Sequence, residues 1–299
     1  MTGESVGSVR VLLLGGAGQV GLAFQRVAPA NWQVSAPGRE ALDIANADAV
    51  LGAVSAADLV VNCAAYTAVD KAEGEPDAAY AANRDGPAAL AHACAVRNTP
   101  LLHLSTDYVF DGTKVGPYVE TDPVGPVSVY GASKEAGEQA VRAALPAHVI
   151  LRTAWVYGPD RANFLRTMLR LGAEREELRV VADQHGCPTA AADIADALVA
   201  VGNRILDGQR DGFGTYHLCG TGATTWHGFA AEIFAQAQAR GAKVPRLVAI
   251  GTADYPTPAK RPANSVLDCA LLEQVFGWRA PAWPDSLARS LDVLLPAQS

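Results

Sequence analysis

Short apolar runs and amphipathic stretches alternate through the first half of the chain. Val9–Leu14 is rich in β-formers and stops at Gly15-Gly16; a helical period follows over Gln19–Val27, and a second short run stands at Trp32–Ser35. Further apolar runs lie at 58–63 and 100–105, separated by an alanine-rich helical pattern over about 77–96. A helix over about 133–144 then precedes a strand at 149–152. Strands that read as continuous apolar runs are buried on both faces, so this alternation predicts an α/β fold with a parallel sheet covered by helices.

The second half is less regular. Helices are expected over 163–170, 190–204 and 225–240, with a late strand at 214–219; from Pro245 onward the chain is proline-rich. No internal repeat or low-complexity linker interrupts it. The pattern places a first domain over 1–159 and a second over 160–299, with 190–219 returning to the first sheet.

The chain has 299 residues, enough for one large or two small domains, with 49% hydrophobic and 18% charged residues. That is the composition of a globular protein. A net charge of −7 argues against nucleic acid or an anionic membrane as a general partner. An anionic ligand then needs local cations. Five cysteines, none in a C-x-x-C, suggest neither a disulfide framework nor a zinc ribbon and fit a cytoplasmic setting. The start faintly imitates a signal peptide, but glycines end its apolar run and Glu4 occupies the would-be basic region. No apolar run is long enough to span a bilayer.

The first strand runs into Gly15-Gly16-Ala17-Gly18-Gln19-Val20-Gly21. Two registers fit: G-x-G-x-x-G from Gly16, or G-x-x-G-x-x-G from Gly15. Either lets backbone N–H groups approach a pyrophosphate at a helix N-terminus and lets helix and strand pack closely. Strand–turn–helix context makes a dinucleotide the expected ligand, against the bland reading of a tight turn. The tip after the second strand, Ala36-Pro37-Gly38-Arg39, lacks the acid that binds an NAD ribose. Arg39 instead suits a 2′-phosphate, so NADPH is expected, with NADH possible; the alternative is a solvated arginine neutralised by Glu40.

Tyr130 and Lys134 stand four residues apart. On a helix they share a face, about 6 Å apart along the axis. A free phenol has a pKa of about 10 and is a weak acid–base catalyst at neutral pH; a neighbouring ammonium lowers it. Ser105-Thr106 closes a strand and adds a hydroxyl at the sheet's carboxyl edge.

These segments, with Asn62-Cys63-Ala64-Ala65-Tyr66-Thr67 and Ser105-Thr106-Asp107-Tyr108-Val109-Phe110-Asp111-Gly112, resemble the extended short-chain dehydrogenase/reductase superfamily. Ala65-Tyr66-Thr67-Ala68-Val69-Asp70-Lys71-Ala72-Glu73, Arg152-Thr153-Ala154-Trp155-Val156-Tyr157-Gly158, Asp183-Gln184-His185-Gly186-Cys187-Pro188-Thr189 and Arg261-Pro262-Ala263-Asn264-Ser265 resemble the dTDP-4-dehydrorhamnose reductase family more narrowly. The resemblance runs over nearly the whole chain. It implies a Rossmann-like doubly wound parallel sheet, a smaller α+β C-terminal substrate domain, and reduction of the C4 ketone of dTDP-4-dehydro-6-deoxy-L-mannose. It implies Thr106, Tyr130 and Lys134 as the catalytic set and Thr67, Asp107, Tyr108 and Trp155 as substrate contacts. Gly15, Gly18, Gln19, Val20 and Gly21 would hold the dinucleotide, with Asp43-Ile44 beside the adenine and Ala64-Ala65 and Thr67 beside the nicotinamide ribose.

Arg261 is the expected cation for the sugar nucleotide's diphosphate; the alternative is an ion pair with a carboxylate such as Asp268. Asp70, Lys71 and Glu73 could touch a ligand but are equally well read as a solvated helix start, and Trp226, Trp278 and Trp283 could stack a base, although aromatics more often build core. His185-Gly186-Cys187 has no zinc spacing, and no G-x-S-x-G is present, so neither a metal site nor a hydrolase elbow is expected. Two other functions share these residues: a nucleotide-sugar epimerase or dehydratase, and a non-catalytic regulatory subunit with a reductase-like fold. A monomer or homodimer is expected.

Overall fold

A computed structural model of the chain describes residues 7–44 and 46–295, so Glu4 lies outside the described residues. Strand β1, Val9–Leu14, shows how the sheet is built. Val11 and Leu13 enter the core on one face, Leu12 and Leu14 the core on the other, as the two-residue period of a strand dictates. Helix α1, Gln19–Val27, returns along the first face, and β2, Trp32–Ser35, pairs parallel to β1. Helix α2, Ala47–Val54, has no counterpart in the sequence reading; Asn46 caps it, its side-chain oxygen accepting from the Ala49 N–H at 3.1 Å. Strand β3, Leu59–Asn62, lies on the other side of β1.

The alanine-rich pattern folds as α3, Val69–Ala72, then α4, Pro76–Tyr80, one π-helical turn at Ala81–Asp85, and α5, Gly86–Arg97. Strand β4, Leu101–Thr106, precedes α6, Val129–Ala144, and β5, His148–Thr153. Helix α6 begins four residues before the expected start at 133. Ser128 caps it by accepting from Gly131 N–H at 3.1 Å, which outweighs the weak helix propensity of Val129-Tyr130-Gly131. Tyr130 thereby sits in the first turn.

Then come β6, Val156–Tyr157, α7, Phe164–Glu174, β7, Glu177–Val181, β8, His185–Gly186, and β9, Thr189–Ala190. Helix α8, Ala191–Leu206, packs on α1, and β10, Gly214–His217, joins the main sheet beside β5. The rest comprises β11, Thr224–Thr225, α9, Trp226–Ala239, β12, Arg246–Ile250, α10, Ala270–Phe276, and α11, Trp283–Leu294. The proline-rich end therefore holds a strand and two helices that the sequence reading did not anticipate. β12 pairs parallel with β7, also unanticipated.

The six-stranded sheet runs β10-β5-β4-β3-β1-β2, every pair parallel. This is the expected doubly wound arrangement. Chain order reverses between β1 and β3, so a crevice opens at their carboxyl ends. A separate apolar cluster, including Leu165, Met168, Leu178, Val180, Phe229 and Leu287, gives the later elements their own core. No helix among the described residues is long and apolar enough to cross a membrane.

Candidate functional site

Four neighbouring strands deliver the site from their carboxyl ends. β1 leads into Gly15 and β3 into Cys63-Ala64, β4 ends in Thr106, and β5 leads through Ala154 to Trp155. Gly15 has φ +76°, and a Cβ there would stand 2.6 Å from the Ala64 nitrogen; a Cβ on Gly21 would stand 2.3 Å from Gly15 O. Glycine is required at both. Gly16 has its own reason: a Cβ there would meet Ala36 Cβ at 2.8 Å. Gly18 N–H closes the turn onto Gly15 O at 2.9 Å, and no side chain caps α1. Its first-turn N–H groups face the crevice uncapped, which suits an anion.

One cleft of about 770 Å³ brings together Gly15, Gly18, Gln19, Val20, Gly21, Ala64, Ala65, Thr67, Thr106, Asp107, Tyr108, Tyr130, Lys134 and Trp155. Arg39, Asp43 and Ile44 stand outside this lining. Arg39 is exposed on the tip after β2, and among the described residues it makes no ion pair, with Glu40 or any other acid. Ile44 lies over Gly86 at the start of α5, where a Cβ would come within 2.3 Å of it. The sequence reading missed Thr153, Arg161 and Asn163, and favoured a core role for Trp226, which lines the cleft.

The chemistry gathers around Thr106. Its hydroxyl donates to Asp107 Oδ1 at 2.9 Å and accepts from Tyr108 N–H at 3.2 Å. Burial pushes the Tyr130 phenol above its ordinary pKa, with the adjacent Thr106 hydroxyl opposing that shift. Lys134 does not offset the burial; its ammonium donates to Leu104 O at 2.7 Å, and burial lowers its pKa to about 8, opposed by the charge of Glu138. The expected lowering of the phenol by Lys134 is thus corrected for this geometry: desolvation of both groups dominates. Asp107 is buried, its Oδ2 has no partner, and burial raises its pKa to about 6.

The loop carrying Ala64-Ala65 is held by the π-helical turn before α5. Asn83 accepts from Tyr66 N–H at 2.8 Å and donates to Tyr66 O at 3.1 Å and to Ser133 Oγ at 2.9 Å. Such turns frequently occur at functional sites. Trp155 carries φ +47°, a costly conformation for a bulky side chain. Two neighbours impose it: Trp226 stacks on it with centroids 3.6 Å apart, and Gly186 lies under its ring, where a Cβ would come within 2.4 Å.

Val69, Tyr108 and Trp226 also line a second cavity of about 810 Å³, which contains Phe164, Met168, Tyr255 and the cations Arg175, Arg179 and Arg261. Arg261 pairs with Asp70 at 2.9 Å, not with Asp268. Asp70 reaches it because α3 and the loop after β12 converge, and the same carboxylate accepts from Ala259 N–H at 3.3 Å. Among the described residues no cluster of His, Cys, Asp and Glu is arranged to hold a metal ion.

A family model described as the RmlD substrate binding domain matches residues 9–295. The dTDP-4-dehydrorhamnose reductase of Sinorhizobium fredii is 46% identical over 290 residues, 96% of this chain and 98% of that protein. Two solved structures superpose with a TM-score of 0.88. One is a dTDP-4-dehydrorhamnose reductase from Clostridium acetobutylicum, 39% identical, covering 95% of this chain and 99% of that one. The other, from Bacillus anthracis, is in complex with NADP, 35% identical and of the same coverage.

Proposed function

The chain belongs to the dTDP-4-dehydrorhamnose reductase family, and from that premise we propose that it reduces the C4 ketone of dTDP-4-dehydro-6-deoxy-L-mannose, or a close deoxysugar analogue, with NADPH. The observation that carries this reading is the meeting of Thr106, Tyr130 and Lys134 with the glycine turn in one cleft, joined to a second, arginine-bearing cavity through Val69, Tyr108 and Trp226. A relative in complex with NADP supports the choice of dinucleotide.

The residues fit such a cofactor. Cβ atoms would fill the turn at Gly15 and Gly21, and the first-turn N–H groups of α1 are uncapped. Gly15, Gly18, Gln19, Val20 and Gly21 would hold the pyrophosphate, Ala64, Ala65 and Thr67 the nicotinamide ribose, and Asp43-Ile44 the adenosine. Arg39, exposed and without an ion pair among the described residues, would take the 2′-phosphate. When bound, the nicotinamide supplies hydride.

The chain's own groups do the rest. Tyr130 holds the proton destined for the substrate oxygen; its raised pKa keeps it protonated at neutral pH. Thr106 Oγ1 stands beside the phenol as a second hydrogen-bonding group, oriented by Asp107. Lys134 brings positive charge to the same wall. Asp107, Tyr108 and Trp155 would position the sugar, with Arg261 toward the diphosphate and Asp70 fixing its guanidinium. We divide the chain near Pro159 into a cofactor half and a sugar-nucleotide half, with 190–219 assigned to the former.

The test is consumption of NADPH with dTDP-4-dehydro-6-deoxy-L-mannose, the C4 configuration of the product being read by NMR. Turnover to dTDP-L-rhamnose is expected. Tight copurifying NAD with no net consumption would move the chain to the epimerases and dehydratases, and inertness toward every 4-keto sugar to a regulatory role.

A further inference from the structure

Among the described residues lining the cofactor cleft, only Lys134 and Arg161 are cationic. Lys134 is fixed by Leu104 O on the wall made by β4 and α6. The glycine turn contributes N–H groups and no charge. A dinucleotide carries a pyrophosphate, and this protein is net acidic; the turn needs a cation that its own strand and helix do not provide.

Arg161 stands where such a cation is needed. Its Nε–H donates to Ala17 O, inside the glycine turn, at 2.8 Å. Among the described residues Nη1 and Nη2 have no partner. The contact spans 144 residues of sequence, and three further features hold it. Arg26, on α1, forms a bidentate pair with Asp160, one bond at 2.8 Å. Asn163 Nδ2 donates to Gln19 Oε1 at 2.9 Å and to the carbonyls of Gly158 at 2.9 Å, Asp160 at 3.1 Å and Arg161 at 3.3 Å. Arg161 itself has φ +59°, a left-handed conformation that turns the strap toward the glycine turn. A strained residue with a half-used guanidinium, secured from both sides against a phosphate-binding turn, points to an anion.

We propose that Arg161 is a cofactor-binding residue that clamps the dinucleotide pyrophosphate from the strap at 158–163, opposite the N-terminus of α1. This rests on the assignment of the cleft to NADPH. The pyrophosphate is common to NADPH and NADH, so Arg161 adds affinity without choosing between them; that choice belongs to Arg39.

The experiment is equilibrium titration of the full chain with NADPH, NADH, ADP-ribose and adenosine 2′-monophosphate, followed by fluorescence. Arg161→Asn removes the charge and keeps a residue that tolerates the left-handed conformation. It should weaken NADPH, NADH and ADP-ribose alike by about ten- to a hundred-fold. Adenosine 2′-monophosphate, which lacks a pyrophosphate, should bind both proteins equally, and raising the salt should affect the variant less than the wild type. Unchanged affinity, or a loss confined to NADPH, overturns the proposal. Arg161→Gly, which accepts the same φ, replaces the Asn variant if thermal melting shows that one misfolded. Failure of the wild-type protein to bind either dinucleotide would instead remove the cofactor assignment itself.

Discussion

Tyr130 and its neighbours show how burial sets the starting state for catalysis. The phenol is held protonated by desolvation, and Lys134, in the same cleft, has its pKa lowered to about 8. A proton donor and a cation are thus both present near neutrality. Tyr130→Phe removes the donor and leaves the packing, so turnover should fall by about 10²–10⁴-fold while dinucleotide affinity stays nearly constant. Steady-state rates beside a binding titration check both halves. Arg39 makes the complementary prediction. It stands exposed and, among the described residues, without an ion pair, so Arg39→Ala should weaken NADPH by about ten- to a hundred-fold and scarcely change NADH; equal losses would make it structural.

Among the elements, α6 and the π-helical turn before α5 fix the position of the proposed catalytic residues. A Cβ on Gly137 would stand 2.0 Å from Asn83 O, and Asn83 in turn holds Tyr66 and Ser133. Gly137→Ala should destabilise the fold by about 1–3 kcal/mol, measured by urea unfolding, and loosen the Ala64-Ala65 loop enough to weaken dinucleotide binding. The inner strands of the main sheet were legible in sequence because burial on both faces leaves apolar runs, as in Leu59-Val60-Val61. Other elements were not. In β7, exposed Glu177 and Arg179 alternate with buried Leu178 and Val180, so five residues carry a period-two signal diluted by charge. Helices α10 and α11 hide among prolines, one of which occupies the first turn of α11. Thr106, Tyr130 and Lys134 could be found by spacing and resemblance. Arg161 could not, because its signal is a contact with Ala17 across 144 residues.

At the scale of the whole molecule, the later segments are tied to the main sheet through buried histidine. His217, on β10, has Nδ1 3.1 Å from the carbonyls of Tyr118 and of Asp268, and its backbone N–H donates to Glu120 at 2.9 Å. Its Nε2 is buried without a partner, and burial, followed by the charge of Arg152, lowers its pKa to about 4. Between pH 6.5 and about 4 the unfolded chain binds a proton at this ring that the folded chain refuses. Stability should therefore fall as the pH drops through that window, by on the order of 3 kcal/mol for this residue. Burial also lowers the pKa of His103 and His148, adding to the slope. Urea midpoints taken from pH 7 to pH 4.5 test this, and His217→Gln should flatten the decline; an unchanged slope would clear His217 of the role.

The stacked pair Trp155 and Trp226 has an optical consequence. Indoles with centroids 3.6 Å apart and planes 9° apart absorb as a coupled chromophore. Trp155 follows β5 of the main sheet, whereas Trp226 opens α9, which packs in the later core. Their exciton couplet in far-ultraviolet circular dichroism exists only while the two rings stay stacked. Trp226→Phe should abolish the couplet and leave the backbone helix bands in place. In the unaltered protein, its amplitude would then show whether the stack persists when a ligand enters the cleft that both indoles line, without any attached label.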